Sequence, residues 1–377
     1  MFDALPVTSS HDSHPVRVGV PKESKAGERR VALVPKMVGR LTSRGLQVLV
    51  EPGAGLGALM PDEMFLQAGA TLGDPWDADV VVKVAPPTPE EIERLRRGTV
   101  LIGFLAPRSD PGIAERLRQA GVIAFAMEAI PRISRAQSMD ALSSQANVAG
   151  YKAVLLAADL CTRFFPMLTT AAGTIKPASV LVLGVGVAGL QALATAKRLG
   201  ARTTGYDVRP EVADQVRSLG AKWLDLGIEA VGEGGYAREL TEQERAEQKQ
   251  RLTDATTGFD VVITTALVPG RRAPILVTAE AVKGMRPGSV VVDLAGEAGG
   301  NCELTEPGQV VVRHDVTIAA PLNLPATMPE HASELYARNV TSLLELLLDK
   351  QGRLALESDD EVLVRSCITR NPEGNPR

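Results

Sequence analysis

The sequence predicts an α/β protein with two doubly wound parallel sheets joined by long helices. Three observations carry this. The 377 residues exceed one ordinary domain and suit two of α/β size. Aromatic residues are only 3% of a chain that is 45% hydrophobic, so the core must be built from Val, Leu, Ile and Ala, the composition of buried parallel strands. Short β-branched runs alternate with amphipathic stretches along most of the chain, the pattern of repeated βα units.

In the first third, "VRVGV", "LQVLVEPGAG", "ADVVVKVAPP", "GTVLIGFLAP" and "GVIAFAME" read as strands. "PKMVGRLTSRG" and "GIAERLRQAG" between them read as helices closed by glycine. A long helix is expected to start near Asp140, with Leu142, Ala146, Ala149, Ala153, Leu156 and Leu160 on one apolar face. A second βα series follows: "SVLVLGVGVAGLQALATAKRLG", "ARTTGYDV", "AKWLDLG", "FDVVITTALVPG", "GSVVVDLAGEAGG" and "QVVVRHDVTIAAPLNLP". "PEHASELYARNVTSLLELLLDK" reads as an amphipathic helix that packs back on the first domain, and beyond Asp349 the chain turns polar. The predicted domains are therefore 1–141 with 326–377, and 142–325.

In "VLVLGVGVAGLQ", Gly184, Gly186 and Gly189 follow an apolar strand and open a helix. The first glycine permits the tight turn, the second lets backbone N–H groups approach a pyrophosphate, and the third permits close helix–strand packing. A lone glycine triplet is weak evidence, but Asp207 stands about twenty residues on, at the end of the next strand. There it suits ribose hydroxyls and repels a 2′-phosphate, which favours NAD(H) over NADP(H); nearby Arg209 works against that preference. This makes the second domain a Rossmann-like unit, whereas no such fingerprint follows the first strand of the first domain.

Two polar segments remain. "PRISRAQSMDALSSQ" places Arg132, Arg135, Gln137, Asp140 and Ser143 together just before the long helix, where Asp140 and Ser143 also suit simple N-terminal capping. Between "WLDLG" and "FDVVITTA" lies a longer insertion than such a fold needs, with glycines around Tyr236 followed by a charged helix. It suits either a solvated excursion or, given one aromatic between glycines, a mobile lid over 228–250.

Bulk properties exclude several classes. A net charge of −4 and a pI near 5.8 argue against nucleic acid or an anionic membrane surface as main partner. Three scattered cysteines and four histidines without metal spacing favour reduced thiols and no metal site, as in a cytoplasmic protein. The start of the chain does not have the pattern of a signal peptide, and the longest apolar run is broken by Lys152, Asp159 and Arg163.

"VGVPKESKAGERRVALVP" and the glycine fingerprint together resemble the alanine dehydrogenase and transhydrogenase superfamily, over about Arg17 to Thr369. "PRISRAQSMDALSSQANVAGYKAV" is similar to the Arg-Gln-Asp loop of the NAD(H)-binding component of proton-translocating transhydrogenases. "EGGYARE", "TTALVPGRRAPIL" and "DLAGEAGGNCE" are similar to further segments of that family. The resemblance implies direct hydride transfer from NADH to NADP(H) bound as NADP+ on a separate domain, specific for one face of each ring. It also implies membrane-spanning partner subunits on the cytoplasmic face of the inner membrane, and a homodimer. Gln137, Arg132 and Asp140 would align the transfer. By the same resemblance Ile133, Ser134 and Ser143 join them as NAD(H) contacts. In the second domain the contacts would be Val185 and Val187 of the glycine turn, Val208 beside Asp207, Gly235 and Tyr236, Gln248, and Leu267.

The departures from the dehydrogenase branch point the same way. That branch carries a lysine where this chain has Ala85, a histidine where it has Ala106, and an aspartate where it has Glu297. Amino-acid oxidation needs a positioned acid and base. Hydride transfer between two nicotinamides needs only close approach of the rings. Lys83 and Arg30 then read as structural or vestigial, and an alanine-dehydrogenase-like oxidoreductase is the alternative.

Overall fold

A computed structural model describes residues 14–227, 241–267 and 272–370 of the chain. The chain divides into a unit of residues 1–141 with 333–377 and a unit of residues 142–332.

In the first unit, six short strands form where apolar runs can be buried on both faces. They are β1 (Arg17–Val20), β2 (Gln47–Val50), β3 (Thr71–Leu72), β4 (Val80–Val82), β5 (Val100–Gly103) and β6 (Ile123–Ala126). All pair in parallel, in the order β3-β2-β1-β4-β5-β6. This is the doubly wound order whose topological switch point lies between β1 and β4. The residues of β4 and β5 are buried throughout, which is why they read as unbroken apolar runs. Both predicted helices form, over Pro35–Thr42 and Ile113–Gln119. Behind the second, Gly121 takes φ +75° so that the Val122 N–H can return to the Leu117 carbonyl at 2.9 Å.

Among the elements of this unit without a counterpart in the sequence reading are β3 and the helices Asp62–Gln67, Pro89–Arg94 and Glu361–Ser366, each of six residues or fewer. Such pieces are too short for periodicity to reveal. The helix Pro329–Leu346 brings Tyr336, Val340, Leu343 and Leu344 into the first core, as its apolar face predicts. The segment beyond Asp349, expected to be merely polar, returns to the sheet. Cys367 bridges Phe125 antiparallel, and the Ile368 N–H donates to the Ala124 carbonyl at 2.9 Å. The otherwise open edge at β6 is covered in this way.

In the second unit an antiparallel hairpin, β7 (Leu168–Thr170) and β8 (Gly173–Ile175), precedes the main sheet, and its residues are almost all exposed. The main sheet comprises β9 (Ser179–Leu183), β10 (Arg202–Tyr206), β11 (Lys222–Trp223), β12 (Val261–Thr264), β13 (Val290–Asp293), β14 (Val310–Arg313) and β15 (Val316–Ala319). Their order is β11-β10-β9-β12-β13-β15-β14, and β14 alone in this sheet runs antiparallel to its neighbour. "QVVVRHDVTIAAP", read as one run, is thus two strands. His314 and Asp315, with φ of +53° and +60°, supply the two left-handed residues of a tight hairpin turn without a glycine.

The long helix spans Ala141–Leu160. Its buried positions are Ala141, Gln145, Val148, Gly150, Ala153, Val154 and Ala157, whereas Leu142 of the expected face is 41% exposed. The small residues set this rotation. A Cβ on Gly150 would stand 2.1 Å from the Ala188 carbonyl oxygen, so the contact with the fingerprint helix passes through Gly150.

Candidate functional site

In the second unit the glycine turn joins β9 to the helix Val187–Arg198. Gly184 sits at φ +91°, with Thr265 and Ala266 so close that a Cβ would lie 2.9 Å from Thr265 Oγ1. At Gly189 a Cβ would fall 1.9 Å from the Gly184 carbonyl oxygen. Gly186 is the opposite case: exposed, at ordinary φ, with nothing within 4 Å of an added Cβ. No side chain caps the helix that Gly186 begins, so its first N–H groups and positive dipole end face open space. The turn is therefore closed where packing requires it and open where an anion would approach. A pyrophosphate fits this arrangement.

Val185 is buried behind the turn, and Val187 is 39% exposed beside it. Asp207, 9% exposed, ends the β10 segment and accepts the Val185 N–H at 2.9 Å. Arg209 donates its backbone N–H and Nε to Asp207 Oδ1, both at 3.0 Å, and Nη2 to Oδ2 at 3.1 Å. Burial pushes the Asp207 carboxyl up. The hydrogen bonds from Arg209 and Val185 outweigh it and hold the group below the usual carboxylate range. Val208 and Leu267, 69% and 56% exposed, adjoin Asp207 and Ala266, so the rim of the turn is apolar. Gln248 lies half-buried on the helix Glu242–Thr256, which opens with a capping box between Thr241 and Glu244. Gly235 and Tyr236 lie outside the described residues, as do residues 228–240 generally.

A polar cluster unassigned by the sequence reading braces the neighbouring loops. Asp293, fully buried at the end of β13, accepts from Thr264 Oγ1, Thr305 Oγ1 and the backbone N–H groups of Ala295, Asn301 and Cys302. The buried Asn301 holds both backbone polar groups of Ala266, at 3.0 and 2.9 Å. The aspartate closing an otherwise apolar "VVVD" was the available signal. Glu297 is exposed and accepts the Asn323 N–H at 3.1 Å.

Arg132, Ile133, Ser134, Gln137 and Asp140 belong to the first unit, and Ser143 to the second. Each group is assembled within its own unit. Ser134–Met139 is a 3-10 turn with Ala136 and Met139 buried. Arg132, Ser134 and Gln137 are exposed, while Ile133, Asp140 and Ser143 are half-buried. The turn is tied down from the C-terminal segment. Asn339 Nδ2 donates to the Ser138 carbonyl at 2.8 Å, and Arg135 makes a two-pronged ion pair with Asp360 at 2.8 and 2.9 Å. Arg135 thus braces the loop rather than presenting itself.

At the switch point of the first sheet Glu23 accepts the N–H groups of Val84 and Ala85, and beyond β5 and β6 Glu128 accepts those of Leu105 and Ala106. Burial raises the carboxyl pKa of both glutamates. Lys83 is fully buried between Glu23 at 3.3 Å and Glu91 at 3.1 Å, and Arg30 is paired with Glu28 at 2.7 Å. Both cations serve the scaffold. Among the described residues no His, Cys, Asp and Glu group could hold a metal ion, and no helix is long and apolar enough to cross a membrane.

Fold and site define a protein of two doubly wound units, one of which carries a complete dinucleotide-binding turn. The chain belongs to the alanine dehydrogenase/PNT family. Residues 19–149 match the family's N-terminal domain and residues 153–374 its C-terminal domain. It is 45% identical over 371 residues to an NAD(P) transhydrogenase alpha-subunit chain of Rhodospirillum rubrum, covering 94% of this chain and 97% of that one. Alanine dehydrogenase of Bacillus subtilis is more distant, at 34% identity over 94% and 91% of the two chains. The solved transhydrogenase structure from Sinorhizobium meliloti superimposes with a TM-score of 0.84 at 45% identity, covering 93% of this chain and 97% of that one.

Proposed function

We propose that this chain is the NAD(H)-binding component of a proton-translocating transhydrogenase, delivering hydride from NADH to NADP+ held by a separate domain. The observation that carries this is the pairing of a complete dinucleotide turn with alanines at 85 and 106, where the dehydrogenase branch needs its acid–base groups. The backbone at both positions is still fixed, by Glu23 and Glu128, but neither side chain can move a proton. Lys83 is no substitute because both neighbouring carboxylates already engage it.

On this reading Arg132, Gln137 and Asp140 align the donor ring for transfer specific to one face. Ile133, Ser134 and Ser143 complete that side. Gly184, Val185, Gly186, Val187 and Gly189 receive the pyrophosphate, Asp207 and Val208 the adenosine ribose, and Arg209 stands beside that ribose. Gly235, Tyr236, Gln248 and Leu267 close the site. Membrane-spanning subunits supply the proton path, so the chain is peripheral to the cytoplasmic face of the inner membrane. A homodimer is supported by the exposed β7–β8 hairpin. Two strands alone are marginal in water, and Met167 and Ile175 there are 64% and 48% exposed.

The test is a stopped-flow mixture of the purified chain with NADH and NADP+, without and then with an NADP(H)-binding partner. Exchange should appear only with the partner and saturate with its concentration. Alanine-dependent NADH formation by the chain alone would favour the dehydrogenase alternative instead.

A further inference from the structure

Asp207 has few acceptor positions, and the structure shows who holds them. A carboxylate offers about two lone pairs on each oxygen. Oδ1 gives one to the Arg209 backbone N–H, and Oδ2 gives one to the Val185 N–H. Both bonds are backbone bonds that fix the loops on either side. One position is left on each oxygen. Arg209 fills both, with Nε on Oδ1 at 3.0 Å and Nη2 on Oδ2 at 3.1 Å. A ribose diol also presents two adjacent donors and would need the same two positions.

We propose that Arg209 is a displaceable place-holder on Asp207, competing with the ribose of NAD(H) and setting how strongly a 2′-phosphate is rejected. The Arg209 side chain is 52% exposed, so it can leave into solvent, whereas Asp207 at 7% cannot. Because the arginine is tethered two residues away, it stays beside the ribose after displacement. There its charge offsets that of Asp207 toward a phosphate on the 2′-oxygen. The chain therefore binds NAD(H) less tightly, and discriminates less sharply, than its aspartate alone would permit. Arg209 is a positioning and specificity residue.

This inference rests on the NAD(H)-binding reading above. Its test is a calorimetric titration of NADH and NADPH into the full-length chain and its Arg209→Ala and Arg209→Lys variants. With its arginine half in solvent, this pair holds by a factor on the order of five. Arg209→Ala should thus tighten NADH about three- to fivefold and weaken NADPH, widening the ratio of the two affinities on the order of tenfold. Arg209→Lys, a single point charge without the fork, should fall between. If Arg209→Ala leaves NADH affinity unchanged or weakens it while the unaltered chain binds NADH, the arginine is an ordinary contact and the inference fails alone. If the unaltered chain binds neither nucleotide, the inference and the proposed function fail together.

Discussion

Gly186 and Gly189 should respond differently to the same substitution. At Gly189 an alanine Cβ would sit 1.9 Å from the Gly184 carbonyl oxygen and 3.3 Å from Val182 Cγ1. Restoring van der Waals contact requires a shift of roughly 1 Å between helix and turn, an overpacking cost of about 1–3 kcal/mol. At Gly186 the added methyl meets nothing within 4 Å and φ is −71°, so no strain arises. The poorer helix-capping preference of alanine is offset by the entropy it removes from the unfolded chain, leaving stability within about 0.5 kcal/mol. That methyl, however, stands where a pyrophosphate must approach the backbone. Losing one or two charge-assisted hydrogen bonds there costs about 1.5–3 kcal/mol each, or at least tenfold in NADH affinity. Urea denaturation and NADH titration of both variants separate the effects. Gly189→Ala should lose stability and affinity together, and Gly186→Ala affinity only. Undiminished NADH binding by Gly186→Ala would refute the placement of the pyrophosphate at this turn.

Three further outcomes are expected. Gln137→Asn should slow partner-dependent hydride transfer by up to about a hundredfold while NADH affinity barely moves, because the residue governs approach geometry; equal losses in single-turnover rate and affinity would make it a plain contact. Glu128 has its folded pKa raised by burial, so the folded chain binds more protons than the unfolded one just above pH 4.5, and this group lowers stability as pH rises through its folded pKa. Replacing Glu128 by Gln should therefore be more favourable, relative to the unaltered chain, at pH 7.5 than at pH 4 in denaturant titrations, and the reverse order would contradict the burial argument. A Met167→Asp, Ile175→Asp double variant should sediment as a monomer with NADH affinity retained; a dimer of unchanged strength would move the interface elsewhere.

Central strands and the long helices were legible because burial on both faces leaves apolar runs such as "VVV" and "SVLVL". The glycine turn was legible because each glycine answers a separate steric demand, met in the structure at Gly184 and Gly189. What the sequence concealed depends on pairing across distance. Arg135 reads as one more polar residue of its loop until Asp360 is found opposite it, 225 positions away. Asp293 reads as the end of a strand until five donors converge on it. The 3.6-residue period of the long helix misled at Leu142, because glycine and alanine at 150 and 153 decide its buried face through close approach rather than hydrophobicity.

The strap formed by residues beyond Asp349 also has a consequence for the order of folding. The first unit is interrupted in sequence by the whole of the second, and its sheet edge is sealed by Cys367 and Ile368. During synthesis β1 to β6 emerge first yet must wait for the helix Pro329–Leu346 and that strap, while residues 142–332 form a continuous unit. Pairings of such sequence separation are slow to form, and an unsealed strand edge is the surface on which nascent chains associate. The unit synthesised first is thus the last to close, and a released, truncated chain ending before Ser333 should present a protease-resistant second unit beside a cleavable first.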